Sequence, residues 1–168
     1  FLLGRRAKRL KRKVKVANLK LSETALIVYN ASNPEEDKIV RNFARFLKEE
    51  GIKVDSIGYY KRKNKKDEGP ADELGYHYLK AEELNWLQFP KSKLVKKRIA
   101  NEYNLMIDLN LSNIFCLRMI SSLSKANFKV GIAADYQKQV CDLTIAIPDG
   151  DLQELIKQMK VYLEMINK

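Results

Sequence analysis

The chain has 168 residues, of which 45% are hydrophobic and 32% are charged. A chain of this size and composition can bury a core of its own, so we expect one globular domain. No apolar run approaches the roughly 18 residues that a membrane-spanning helix needs. The apolar start at residues 1–3 is too short for a signal peptide, so we expect a cytoplasmic protein.

Positive charge is concentrated at the start of the chain, in the stretch GRRAKRLKRKVKVANLK. Residues 1–20 hold nine of the 32 basic residues and no acidic residue, which leaves 23 basic and 21 acidic residues for the rest of the chain. We therefore predict a basic extension over residues 1–20 and a single domain over residues 21–168. If the extension is helical, its narrow apolar stripe consists of Leu3, Ala7, Leu10 and Val14.

The first half of the domain alternates strand and helix patterns. The apolar, β-branched run Thr24–Asn30 predicts a buried strand. A helix should follow, with Asn33 as its cap and Pro34 at its first position, and should end at Gly51. Two further strands are predicted at residues 52–60 and 76–79, joined by a polar loop.

The second half continues the alternation. Helical patterns begin at Ser92, at residue 111 and near residue 149, and buried strands are predicted within residues 104–110, 127–133 and 142–148. Strands that alternate with helices of about a dozen residues predict βαβ units. We therefore predict an α/β, Rossmann-like fold: a mostly parallel sheet with helices on both faces, preceded by a basic N-terminal helix or extension.

The signatures of nucleotide-binding loops are absent from this sequence. No two of its seven glycines are two positions apart, so neither GxGxxG nor a P-loop occurs. The first strand-to-helix turn carries Glu35, Glu36 and Asp37, which should repel a phosphate group. A metal site is not expected, because the chain has only one histidine, His77, and its two cysteines, Cys116 and Cys141, form no CxxC motif. We expect all three side chains to be packed in the protein. We expect no cofactor and no metal.

One polar cluster follows the predicted strand at residues 104–110. Its members are Asp108, Asn110, Ser112 and Asn113, and the cluster could form a small-ligand site with Asp108 as a base. Alternatively, Ser112 caps the next helix while Asp108 and Asn110 bind backbone donors in the turn. The second interpretation is favoured, because no partner with a known catalytic spacing accompanies Asp108.

Two stretches carry a family resemblance. SKANFKVGIAADYQKQVCDLTIAI and the later LQELIKQMKVYLEMI resemble the carboxyl half of a small family of uncharacterised Bacteroidota proteins with a domain of unknown function. The basic start, Trp86 and NLMIDLN extend that resemblance, which implies a Rossmann-like fold and no known activity. NLMIDLNLSN and KANFKVGI also resemble the N-terminal domain of heptosyltransferase-type glycosyltransferases, which need a second Rossmann domain to hold the nucleotide sugar.

Basic residues form three clusters, which is more positive charge than solubility requires. Clustered Lys and Arg side chains bind phosphates and release counterions, so they give affinity for nucleic acid without reading its sequence. The candidate RNA-binding residues are Arg5, Arg6, Lys8, Arg9, Lys11, Arg12, Lys13, Lys15 and Lys20 in the first cluster, Lys61, Arg62, Lys63, Lys65 and Lys66 in the second, and Lys91, Lys93, Lys96, Lys97 and Arg98 in the third.

We therefore expect a non-catalytic, ribosome-associated RNA-binding protein whose partners are ribosomal RNA and ribosomal proteins. DNA is not expected, because no motif that reads the major groove is present. Two alternatives stay open: a glycosyltransferase-like or other small-ligand enzyme domain that uses the Asp108 cluster, and a membrane-surface protein anchored by its first segment.

Overall fold

An all-parallel sheet of six strands organises the computed structural model, which describes residue 5 and residues 10–166. The strand order is β3-β2-β1-β4-β5-β6. This is the order of a Rossmann-type sheet, with its switch point between β1 and β4. The strands are β1 (Thr24–Asn30), β2 (Lys53–Tyr60), β3 (Tyr76–Lys80), β4 (Leu105–Leu109), β5 (Phe128–Ile132) and β6 (Leu143–Ile145).

Helices cover both faces of the sheet, so the predicted Rossmann-like α/β fold is confirmed. They are α1 (Pro34–Glu49), α2 (Lys93–Ala100), α3 (Phe115–Leu123), α4 (Gln137–Val140) and α5 (Leu152–Met165), with a 3-10 turn at Ala81–Glu83. The expected cap of the first helix is also confirmed, since the Asn33 side chain accepts a hydrogen bond from the Glu35 N–H at 2.9 Å.

The central strand β1 shows why two layers of helices form. Its five inner residues are buried, and successive side chains point to opposite faces of the sheet. Ile27 lies in the apolar cluster under α1 and α5, whereas Leu26 and Val28 lie in the cluster under α2 and α3. A strand that is buried on both faces has a continuous apolar sequence, and this pattern predicted β1.

Residues 12–23 run along the edge of the sheet where the strands begin. The Lys15 N–H donates to the Asn127 carbonyl at 3.1 Å, just before β5, and the Glu23 N–H donates to the Asn104 side chain at 2.8 Å, just before β4. Leu19 is 2% exposed and lies in the core cluster under α1 and α5. From residue 10 onward this segment is not helical and Val14 is exposed, so the predicted helical stripe is wrong there. Leu3 and Ala7 lie outside the described residues.

Candidate functional site

A basic loop at residues 61–66 follows β2, at the edge of the sheet where the parallel strands end. Asp67 orders this loop: its carboxylate accepts hydrogen bonds from the Lys63 N–H at 2.8 Å and the Tyr60 hydroxyl at 2.9 Å. These two donors, the backbone N–H first, lower the pKa of Asp67. The loop therefore has a defined shape, from which four exposed lysines project: Lys61, Lys63, Lys65 and Lys66.

A second group of exposed lysines lies beside this loop. Arg62 of the loop pairs with Glu82 at 2.5 Å, and the neighbouring Glu83 carbonyl accepts a hydrogen bond from the Lys91 N–H at 2.7 Å. The turn at Ala81–Glu83 thus joins the second and third predicted clusters. We call their exposed lysines the lysine corner; it consists of Lys61, Lys63, Lys65, Lys66, Lys91, Lys93, Lys96 and Lys97.

The lysines of the lysine corner form no ion pair with any carboxylate of residues 10–166. Over residues 10–166, the ion pairs within 4.0 Å involve four arginines and His77, and none involves a lysine. A groove of about 610 Å³ lies between the basic loop and the turn at Ala81–Glu83. It is lined by Tyr59, Lys61, Arg62, Asn64, Lys65, Ala81 and Glu82.

Two arginines from the predicted clusters have structural roles instead. Arg98 is 7% exposed, and its guanidinium donates to the Ser56 carbonyl at 2.6 Å and pairs with Asp55 at 3.4 Å. Arg12 pairs with Asp142 at 2.6 Å and donates to the Asn127 carbonyl at 3.0 Å. These contacts hold α2 and the N-terminal segment to the domain, so we remove both residues from the candidate interface.

Four exposed lysines of the N-terminal segment lie along the edge where the strands begin. Lys11, Lys13 and Lys15 lie beside the residues that precede β5 and β6, and Lys20 lies farther along that edge, just before β1. The lysine corner lies where β2 and β3 end, at the opposite corner of the sheet. Standard strand spacings put the two surfaces about 25 Å apart. Arg5 is exposed, whereas Arg6, Lys8 and Arg9 lie outside the described residues.

The polar cluster at the end of β4 is split by the structure. Asp108 and Asn110 are buried, and Asp108 accepts hydrogen bonds from the Asn110 N–H at 2.9 Å and the Tyr136 hydroxyl at 2.8 Å. Burial raises the pKa of Asp108, and these donors oppose the rise. Ser112 and Asn113 are exposed. The bond from Asn110 to Asp108 matches the turn role that the sequence analysis favoured.

The predicted helix cap at Ser112 is wrong. The helix α3 begins three residues later, at Phe115, and Ile114 occupies its cap position. Ser112 instead accepts a hydrogen bond from the Asn30 side chain at 3.3 Å, which links the ends of β1 and β4 across the switch point. Asn113 has a φ of 49°, so the chain turns sharply before the helix can start.

The space beside Asp108 is filled by protein atoms. Asp108 pairs in register with Gly131 of β5, and a Cβ atom at Gly131 would lie 2.9 Å from the Cys141 sulfur and 3.2 Å from Gln137. Gln137 also donates to the Asn110 carbonyl at 2.8 Å. Close packing and internal hydrogen bonds give the carboxylate of Asp108 a structural role.

A scan against protein families matched residues 2–166 to the family of unknown function DUF6913. The chain belongs to the DUF6913 family. Neither a search of curated proteins nor a search of solved structures found a match.

The single histidine of the DUF6913 chain is a packing residue. His77 is 7% exposed, and its ring nitrogens contact Asp72 at 2.6 Å and Glu83 at 3.0 Å. Among the described residues, no three His, Cys, Asp or Glu side chains come together in a way that would hold a metal ion. No helix in that part of the chain has the length and apolar character to cross a membrane.

One exposed residue near the lysine corner was absent from the predicted site. Trp86 is 87% exposed in the loop between β3 and α2. The sequence indicated an aromatic turn there, but only the structure shows that the indole faces outward beside the corner. An exposed indole together with unpaired cations can stack on a nucleobase while the cations bind phosphates.

Proposed function

We propose that this DUF6913 protein is a non-catalytic RNA-binding protein that associates with the ribosome and contacts ribosomal RNA phosphates through its lysine corner. The proposal places it in the cytoplasm of Bacteroidota bacteria, with ribosomal proteins as neighbours. The observation that carries it is the junction of two lysine groups around Ala81–Glu83, with no carboxylate of residues 10–166 paired to any of those lysines. Such a surface favours a polyanion.

A second basic surface supports the same proposal. The N-terminal segment presents Lys11, Lys13 and Lys15 at the opposite corner of the sheet, with Lys20 farther along the same edge. Two cationic surfaces about 25 Å apart can contact two segments of one folded RNA, or two turns of its backbone. Recognition by charge and shape at separated points suits a large structured RNA better than a short linear one.

The enzyme alternative receives less support. The heptosyltransferase-like pattern and the Asp108 cluster suggested a small-ligand site, but Asp108 is fully buried and its oxygens accept hydrogen bonds from Asn110 and Tyr136. A general base must reach the proton that it abstracts. At the switch point the Asn30 side chain donates to the Ser112 hydroxyl, and neither side chain carries a charge.

Co-sedimentation with purified ribosomal subunits tests the proposal. The loop variant K61Q/K63Q/K65Q/K66Q removes four exposed charges from the corner, and a control variant K38Q/K48Q/K138Q/K157Q removes the same number of exposed charges elsewhere. We expect the wild-type protein and the control variant to pellet with subunits, and the loop variant to pellet at least about tenfold less at the same salt concentration.

Vesicles that contain anionic lipid provide the comparison with membrane binding. A membrane-surface protein would follow the vesicles and would stay partly bound as salt rises, through apolar contacts. The proposal is wrong if the wild-type protein pellets with vesicles but not with subunits. It is also wrong if the loop variant and the control variant pellet equally with subunits.

A further inference from the structure

We infer that Trp86 stacks on an unpaired nucleobase, so that the RNA crossing the lysine corner is single-stranded at that point. This inference rests on the proposed RNA binding and adds to it the class of RNA that is recognised. Trp86 is 87% exposed, although an indole is large and apolar enough to favour burial.

The turn that carries Trp86 is ordered before any partner binds. The side chain of Asn85 accepts hydrogen bonds from the Leu87 N–H at 2.9 Å and the Phe89 N–H at 3.0 Å. The Asn85 N–H donates to the Phe89 carbonyl at 2.8 Å, and the Asn85 carbonyl accepts a hydrogen bond from the Gln88 N–H at 2.9 Å. These four bonds fix the backbone around Trp86, so little conformational entropy is lost on binding there.

The backbone of this turn also carries a strained residue. Gln88 has a φ of 64°, a conformation that residues other than glycine adopt rarely. The base of the turn is closed by a bridge between Leu84 and Pro90, and Leu84 is anchored in the core under α2 and α3. A rigid, strained turn that displays a large aromatic ring is typical of a binding element.

Lysines near the turn favour a nucleic acid over a lipid tail. Lys96 stands among the mostly apolar residues that line the groove beside the turn, and Lys91 follows the turn directly. The nearby carboxylates already have partners, because Glu82 pairs with Arg62 and Glu83 contacts His77. The indole therefore lies within a positively charged surface, where a base can stack while its phosphates meet lysines.

A single strand fits this arrangement better than a duplex. In an A-form helix the bases are stacked on each other and their faces are inaccessible, whereas unpaired bases in loops and bulges can stack on an aromatic side chain. Stacking accepts any base, because every base has a π-face. We therefore expect little sequence preference at Trp86.

The intrinsic fluorescence of the protein tests this inference, because Trp86 is the only tryptophan in the chain. The probes are a single-stranded oligouridylate of about a dozen nucleotides and a duplex RNA of the same length. We expect the single strand to quench the emission and the duplex to leave it nearly unchanged. W86A should bind the single strand at least about fivefold more weakly, and W86F should recover part of that loss.

The matched control is L74A. Leu74 is 99% exposed and precedes β3, at the opposite edge of the sheet from the turn, so its loss should not change RNA affinity. The inference is wrong, and RNA binding stands, if the single strand binds in a salt-dependent manner but neither quenches Trp86 nor distinguishes W86A from the wild type. If neither RNA binds and anionic vesicles shift the emission to shorter wavelength, both the inference and the proposed function fail.

Discussion

Lys129 lies inside the protein with its ammonium group against the end of α3. It is 2% exposed, and its Nζ donates to the carbonyls of Ser121 at 2.7 Å and Ser122 at 3.4 Å. The last carbonyls of a helix have no partner within the helix, so Lys129 satisfies two of them. The pKa of Lys129 is lowered from 10.5 to about 8. Burial is the largest cause, and the positive charge of Arg12 lowers the pKa further.

This pKa predicts a pH dependence of stability. Between about pH 8 and pH 10.5 the unfolded chain keeps the Lys129 proton that the folded protein has lost, so the contribution of Lys129 to the free energy of unfolding rises with pH in that window. The rise should be roughly 3 kcal/mol at most. K129M should lack it. Urea unfolding of both proteins across this pH range measures the difference, and a constant difference would contradict the assignment.

The sequence could not show which basic residues are exposed and which are buried. Lys63, Arg98 and Lys129 are all basic residues in polar or mixed surroundings, yet the first is exposed and the other two are buried. The partners that decide this are distant in the chain: Arg98 of α2 pairs with Asp55 of β2, and Asp142 is 130 residues from Arg12. Charge clusters were predictable from the sequence, but which members stay on the surface depends on tertiary contacts.

The role of the N-terminal segment in the structure differs most from the role that the sequence predicted. The sequence predicted a basic extension that ends at residue 20, and that domain boundary remains a prediction. Ala17 and Leu19, however, are buried in the core, and Arg12 pairs with Asp142. The sequence did not indicate these contacts, because Leu19 lies outside the helical spacing of the predicted apolar stripe.

Two truncations separate the packing of this segment from its charge. Deletion of residues 1–20 should lower the free energy of unfolding by at least about 3 kcal/mol more than deletion of residues 1–9, because only the longer deletion removes the buried Leu19 and the ion pair of Arg12. Urea unfolding provides both values. Equal stabilities would show that residues 10–20 contribute nothing to the folded domain.

Strands were predicted better than turns. The continuous apolar runs of β1 and β4 gave their positions to within a residue, since a strand buried on both faces has few alternatives. The turn around Trp86 and the sharp bend at Asn113 depend on backbone geometry with positive φ at non-glycine residues. Residues other than glycine rarely adopt positive φ, so the sequence did not predict these backbone conformations. The exposure of Trp86 was therefore known only from the structure.

At the scale of the whole molecule, the sheet order decides which basic clusters can act together. The order β3-β2-β1-β4-β5-β6 places the ends of β2 and β3 at one corner and the N-terminal segment, beside β5 and β6, at the opposite one. The sequence predicted the alternating elements, but not which strands lie at the two ends of the sheet, so it could not show that only two of the three clusters adjoin. The central claim is that the lysine corner binds RNA phosphates.

The salt dependence of binding to a single-stranded RNA measures that claim directly. Each lysine that neutralises a phosphate contributes about −0.7 to the slope of log affinity against log salt concentration. If all four lysines of the loop variant K61Q/K63Q/K65Q/K66Q contact phosphates, its slope should be shallower than that of the wild type by about 3. The control variant K38Q/K48Q/K138Q/K157Q should keep the wild-type slope. Identical slopes for all three proteins would contradict the account.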